Sequence, residues 1–377
     1  MQINTFKYKL NSYWRNIDKN IFLSFIILFF LGLFFSLAST SSLAGERLNK
    51  DYYFFFSKHL IFATLAISLM IITSYIELSF LRKLIIPIFI LCFILLVLVP
   101  IIGVEVKGAK RWLSIFFFRL QPIELLKPFF ILLTAKILSS NKTKVLNSSY
   151  IYSFLILCTI VILLIDQPDV GQSVLLITTW ISMVFISGVG IIFIIFFFLI
   201  LIVFLFSLLF FLPEKFGYIT NRLMTYMDSS KGDGFQSGKA LDAIKQGGLK
   251  GQGLGEGILK VGVPEAHTDY IIAVITEEFG SLISILIITI FLYIAYRAIK
   301  LSIEYSNENL KISLCGLTSL LIFQTFIHVG VNTSLLPTTG MTLPFLSYGG
   351  SSLIGSALLA GIILNYTKKK LDRNEGI

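Results

Sequence analysis

The run IIFIIFFFLILIVFLFSLLFFL, residues 191–212, decides the fold, because Ser207 is its only polar side chain. About 20 consecutive apolar residues let a helix cross the ~30 Å hydrocarbon core. The run lacks the polar/apolar alternation of a barrel strand, and only helices and closed barrels satisfy every backbone polar group in lipid. Similar runs lie at 21–43, 54–76, 84–103, 122–139, 149–166 and 172–189, then at 270–296, 310–335 and 349–367. The expected architecture is an all-α polytopic membrane protein of about ten transmembrane helices, a single domain over residues 1–377. A large outer loop separates helices seven and eight. Composition agrees: the chain is 56% hydrophobic, with 36 Phe and a mean hydropathy of +0.86, far from a soluble globular average.

Charge sets the orientation. Lys7, Lys9, Arg15 and Lys19, then Arg82 and Lys83, then Lys136, Lys142 and Lys144 fall in alternate connections. Arg297, Lys300 and Lys311 follow, and the tail adds Lys368, Lys369, Lys370 and Arg373. The positive-inside rule puts these segments and both termini in the cytoplasm. The net charge of +10 is largely this bias, and its scatter over short loops excludes a nucleic-acid-binding domain. The first apolar run is too long for a cleavable signal peptide and lacks a small-residue cleavage site. Cys92, Cys158 and Cys315 stand singly in apolar runs and read as packing residues.

Two outer segments, 104–121 and 213–269, carry more charge than topology requires. The first holds Lys107, Lys110, Arg111, Trp112 and Arg119, against the positive-inside bias. Interfacial anchoring accounts for it; so does an anion site, where Gly108 permits close backbone approach and arginine offers bidentate phosphate contact. The second is about 57 residues long, and a structureless loop of that length is uncommon without a task. Arg222, Gln236, Gly247-Gly248 and Gly251-Gln252-Gly253-Leu254-Gly255-Glu256-Gly257 punctuate it. No predicted strand precedes the glycines, so a dinucleotide fingerprint is rejected. A tight loop with backbone amides turned to a ligand is the better reading, beside plain flexibility.

That loop ends in Pro264-Glu265-Ala266-His267-Thr268-Asp269. Asp269 or Thr268 could cap a helix beginning near Tyr270. Ionisable groups at a bilayer edge more often mark a pathway or a reaction centre. His267 adjoins Asp269, and Glu277 and Glu278 lie two turns into the next apolar run. Glu124 and Lys127, at i and i+3, share one face of helix four. Buried charges need partners, so an intramembrane network of Glu, Lys and Asp is expected.

These residues also carry a family resemblance. Gly108-Ala109-Lys110-Arg111-Trp112-Leu113, Gln121-Pro122-Ile123-Glu124-Leu125-Leu126-Lys127 and Gln167-Pro168-Asp169-Val170-Gly171 come first. Gly253-Leu254-Gly255, Pro264 to Tyr270, Leu336-Pro337-Thr338-Thr339-Gly340 and Leu343 to Ser352 follow in order. The chain resembles the SEDS family (shape, elongation, division and sporulation) of polytopic peptidoglycan glycosyltransferases, across nearly its whole length. Pro264 to His267 and Pro337 to Phe345 look more like the division branch, FtsW, than the elongation branch, RodA. Three positions depart from the pattern: Ile123 for a small Ser, Gln172 for Thr, and His328 for Asn. They point to altered helix packing.

The resemblance implies polymerisation of lipid II, a disaccharide-pentapeptide on a polyprenyl diphosphate, for septal wall synthesis in the bacterial cytoplasmic membrane. Its leaving group is already good, so the chemistry needs a base for the acceptor hydroxyl and positive charge for the diphosphate. The resemblance makes Asp269 the candidate base, with Glu124 and Lys127 as its network. Lys110, Arg111 and Arg222 are candidates for the diphosphate, with Trp112 and His267 on the substrate side. No residue cluster has metal-ligand spacing, although a divalent cation (Mg or Mn) bridging the diphosphate is chemically reasonable. Nothing in the chain can cross-link glycan, so the resemblance implies a class B penicillin-binding protein as partner, among other divisome proteins. Leu282–Tyr296 and Leu314–Phe326 leave room for its helix. An elongation-type polymerase, a lipid II flippase and an inactive scaffold are the rivals. A flippase should line the whole membrane depth with polar groups, whereas here they gather at the outer end.

Overall fold

The computed structural model describes residues 11–39, 53–106, 108–115, 118–140, 148–211, 213–227, 232–263 and 265–368. Pro264, Lys107 and the basic residues Lys7, Lys9, Lys142, Lys144, Lys369, Lys370 and Arg373 lie outside them. Ten helices occupy the ten expected spans: α1 (Lys19–Ser39), α2 (Phe54–Tyr75), α3 (Leu78–Ile102), α4 (Pro122–Ser139), α5 (Ser148–Asp166), α6 (Val170–Ile186), α7 (Ile191–Phe211), α11 (Ser281–Ile303), α12 (Glu308–Asn332) and α13 (Gly350–Tyr366). By their described residues, six of them, α1, α2, α3, α5, α11 and α12, are long and apolar enough to cross a membrane. Of the others, α6 and α13 have 17 residues each, α4 is interrupted by charge at Glu124, Lys127 and Lys136, and α7 is a helix of 21 residues, apolar but for Ser207. The chain is a multi-pass membrane protein.

The first extramembrane segment is a small sheet rather than a loop. Strands β1 (Val104–Val106), β2 (Ala109–Ile115) and β3 (Phe118–Leu120) pair antiparallel in that order. Gly108, at φ +76°, sits in the turn before β2. Period-two alternation then buries Arg111 and Leu113 while Lys110 and Ser114 face out. Lys110 lies opposite Glu105 in the register.

The long segment before α11 is folded too, as α8 (Pro213–Met227), α9 (Gly232–Gly247), a 3₁₀ turn (Leu259–Gly262) and α10 (Ile271–Phe279). Here the expected span 270–296 is corrected. Gly280, at φ +85°, separates α10 from α11, and a Cβ there would lie 2.2 Å from the Leu249 carbonyl oxygen. Glu277 and Glu278 therefore end a separate short helix whose residues Ile271–Glu278 are all buried. The two faces expected to receive a partner helix also differ. Along α11, Leu282, Ile285, Leu286, Leu292, Tyr293 and Tyr296 are exposed, whereas over Leu314–Phe326 of α12 the exposed large side chain is Phe326. The α12 helix belongs to the core.

Candidate functional site

The loop end before α10 is fastened residue by residue. Glu265 turns the chain with φ +53°, and its carbonyl accepts from the amides of Thr268 (3.0 Å), Asp269 (3.1 Å) and Tyr270 (3.3 Å). The carbonyls of His267, Thr268 and Asp269 are held from elsewhere. The Tyr348 amide donates to His267 O at 3.0 Å, Ser347 Oγ to Thr268 O at 2.7 Å, and Asn332 Nδ2 to Asp269 O at 3.0 Å. The His267 ring lies on Phe55, centroids 4.4 Å apart, so packing orients it. The N-cap of α10 is Tyr270, without a side-chain cap bond. The capping reading of Asp269 thus loses its position.

Arg111 reaches from the sheet to the turn between α5 and α6. Its Nε donates to Gln167 O at 3.2 Å and its Nη2 to Pro168 O. Nη1 lies 3.9 Å from Asp169 Oδ1. Asp169 also accepts from Gln121 Nε2 at 3.0 Å. Burial pushes the Asp169 carboxyl up from its ordinary range, and the Arg111 charge opposes that shift. A Cβ on Gly340 would stand 3.3 Å from Arg111 Nη1 and 3.9 Å from Asp269 Oδ2. The acid from one extramembrane segment and the cation from the other therefore flank one glycine.

Glu124 and Lys127 form the expected pair, Nζ to Oε2 at 2.9 Å, with both side chains buried. The pair branches to Gln172, whose Nε2 donates to Glu124 Oε1 at 2.7 Å, and to Gln324, whose Oε1 accepts from Lys127 at 3.2 Å. Gln324 in turn donates to Thr342 O at 3.1 Å. Gln172, a departure from the family pattern, is thus a direct partner of Glu124.

Lys110 is exposed and Trp112 half-buried on the sheet. Arg222, on α8, joins the same end through Tyr218. Burial pushes the Tyr218 phenol up to about 12, against the pull of Arg222 and Arg111.

The glycine run packs against the end of α10. The amides of Gln252 and Gly253 donate to the carbonyls of Glu277 and Glu278 at 2.8 and 3.0 Å. A Cβ on Gly247 or Gly251 would lie 2.0 Å from Thr276 O or 2.2 Å from Glu278 O. The glycines let the loop close over the end of α10, and the amides of Gln252 and Gly253 are consumed there. Glu277 accepts from the amides of Leu259 (2.7 Å) and Lys260 (2.8 Å), and Lys260 Nζ pairs with Glu278. Glu278 thus finds its cation in Lys260, as Glu124 finds its own in Lys127.

A family model for cell cycle proteins of the FtsW/RodA/SpoVE type matches residues 18–371. The chain belongs to the FtsW/RodA/SpoVE family. It is 32% identical over 362 residues to a probable peptidoglycan glycosyltransferase FtsW of Caulobacter vibrioides, covering 96% of this chain and 92% of that one. It is 31% identical over 348 residues to stage V sporulation protein E of Bacillus subtilis, covering 91% and 94%. Among solved structures it resembles a chain from work on how a peptidoglycan synthase complex coordinates polymerization and crosslinking (TM-score 0.73, 23% identity, 93% and 97% covered). It also resembles the rod shape determining protein RodA of Thermus thermophilus (TM-score 0.64, 22% identity, 93% and 96% covered).

In this FtsW/RodA/SpoVE protein, Asp169, Asn332 and Lys260 were not singled out from the sequence as site residues. Asp169 carried a signal: with Asp166 it puts two acids between two apolar runs, in a protein whose opposing segment is basic. Asn332 and Lys260 carried none, since their partners are distant in the chain.

Gly340 supplies a direct test of the convergence. Its φ of +69° costs a non-glycine residue about 1–2 kcal/mol, and the added methyl would press on Arg111. Gly340→Ala should reduce turnover roughly tenfold or more, since small misplacements of reacting groups are expensive. Turnover per folded molecule is the measurement, and wild-type turnover would separate Gly340 from the site.

Proposed function

We propose that this chain is a peptidoglycan glycosyltransferase of the FtsW type, polymerising lipid II for septal wall synthesis in the bacterial cytoplasmic membrane. The observation that carries this reading is the convergence of Asp269 and Arg111 on Gly340 at one end of the helical bundle. The acceptor 4-hydroxyl attacks the anomeric carbon of the donor and passes its proton to Asp269. The bond from that carbon to the diphosphate breaks, and the diphosphate leaves with its electron pair. Arg111 stabilises the charge it carries away, with Lys110 and Arg222 as further candidates for the diphosphate. Trp112 and His267 lie on the substrate side.

The lipid tail stays among the helices while the head reaches the sheet and the loop. With both termini cytoplasmic, this end faces outward. Among the described residues no three His, Cys, Asp or Glu side chains gather as a metal site, so a Mg or Mn ion would be held chiefly by the diphosphate. Glu124 and Lys127 set the field beneath the site, because both act on the Asp169 carboxyl. A class B penicillin-binding protein would complete the machine, with α11 the face open to its helix.

The test is polymerisation of labelled lipid II by the purified protein, alone and with a class B transpeptidase. Glycan strands are expected in at least one arm. Their absence in both, with monodisperse protein, would overturn the reading.

A further inference from the structure

Three polar side chains on α12, Gln324, His328 and Asn332, stand four residues apart and so line one helix face. Each grips a different part of the site. Gln324 donates to Thr342 O. His328 Nδ1 lies 2.8 Å from Met341 O, one residue after Gly340; a carbonyl only accepts, so Nδ1 carries the proton. Asn332 does most, and it is fully buried. Its Nδ2 donates to Asp269 O at 3.0 Å and to His328 O at 2.8 Å, and its Oδ1 accepts from the Ala273 amide at 3.1 Å. One amide thus holds the main chain on both sides of Tyr270.

We propose that Asn332 is the positioning residue of Asp269, fixing the base by its backbone to the end of α12. The kinetic part of this inference rests on the glycosyltransferase reading; the mechanical part does not. Asp269 stands at the end of a long extramembrane segment, where local order is normally low. A buried amide that uses both donor protons and its acceptor is worth more than a surface contact, because its removal takes this donor from the Asp269 carbonyl and leaves the Ala273 amide to its 3.1 Å bond with Tyr270 O. Catalysis by a placed base needs this stiffness, since displacement by about 1 Å can cost a hundredfold.

The experiment compares Asn332→Leu, Asn332→Asp and Asn365→Leu in the full-length protein. Asn332→Asp keeps the volume and the acceptor for Ala273 but loses the donor to Asp269. Asn365 is the control. It is equally buried, on α13, and its Nδ2 donates to Thr73 O and Ile76 O at 3.0 and 2.7 Å, far in the chain from Asp269. Hydrogen exchange of the 265–274 amides should accelerate at least tenfold in both Asn332 variants and stay at the wild-type rate in Asn365→Leu. Lipid II turnover per folded molecule should fall roughly tenfold to a hundredfold in the Asn332 variants, with half-saturation within about twofold of wild type. Asn365→Leu should keep its turnover. Unchanged exchange around Asp269 in folded Asn332→Asp overturns the inference, as does an equal turnover loss in Asn365→Leu. Wild-type protein that makes no glycan sinks the glycosyltransferase reading instead, and exchange alone then decides the fastening.

Discussion

Asp269→Asn should leave glycan polymerisation at least about a hundredfold below wild type, the loss expected when a general base is removed. The substitution keeps shape and hydrogen-bonding capacity but abolishes basicity. Its backbone attachments do not involve the carboxylate: the Asn332 and Glu265 bonds run through the main chain of residue 269. Membrane insertion, thermal stability and exchange around the loop should therefore stay near wild type. That combination separates chemistry from folding. A folded Asp269→Asn protein that polymerises lipid II normally would end the assignment of Asp269 as base.

Arg111 is expected to show two effects that can be pulled apart. Arg111→Ala strips a buried cation from Asp169 and from the carbonyls of Gln167 and Pro168. Breaking a buried pair from one side costs about 3–5 kcal/mol, whereas replacing both partners with apolar groups is often neutral. Arg111→Met together with Asp169→Leu should thus recover much of the lost thermal stability. It should not recover activity, because the charge beside Gly340 stays missing. Arg111→Lys should recover only part of it, since an ammonium cannot reproduce the guanidinium fork that reaches two carbonyls and a carboxylate at once. Thermal unfolding and initial rates at several lipid II concentrations are the two readouts. If the double variant polymerises as well as wild type, Arg111 is an anchor, not a contact for the diphosphate.

The spanning helices were legible in the sequence because lipid enforces a local rule. A run such as 191–212 must satisfy its own backbone groups, so helix identity and rough limits follow from the run itself. The Glu124–Lys127 pair was legible for the same reason, since i and i+3 meet on any helix. Where the medium changed, the local rule lapsed. The 104–120 sheet forms through pairing across a turn, and its alternation is too brief to stand out beside apolar runs. The 270–296 run hid a break because Gly280 is needed only where the Leu249 carbonyl approaches it.

The sequence by itself determined a ten-helix membrane protein, its family, and the residue types that its chemistry needs. Tertiary structure decided which of those residues work together. Arg111 and Asp269 are separated by nearly half the chain, and only the packing of the 339–342 segment on Gly171 and beneath α12 sets Gly340 between them. Lys260 and Glu278 are 18 residues apart in the chain and are paired only by the packing of α10 on the 3₁₀ turn. Hydropathy is read from neighbours along the chain. Partners for buried charge are chosen by distance in space, and that choice exists only once the helices have packed.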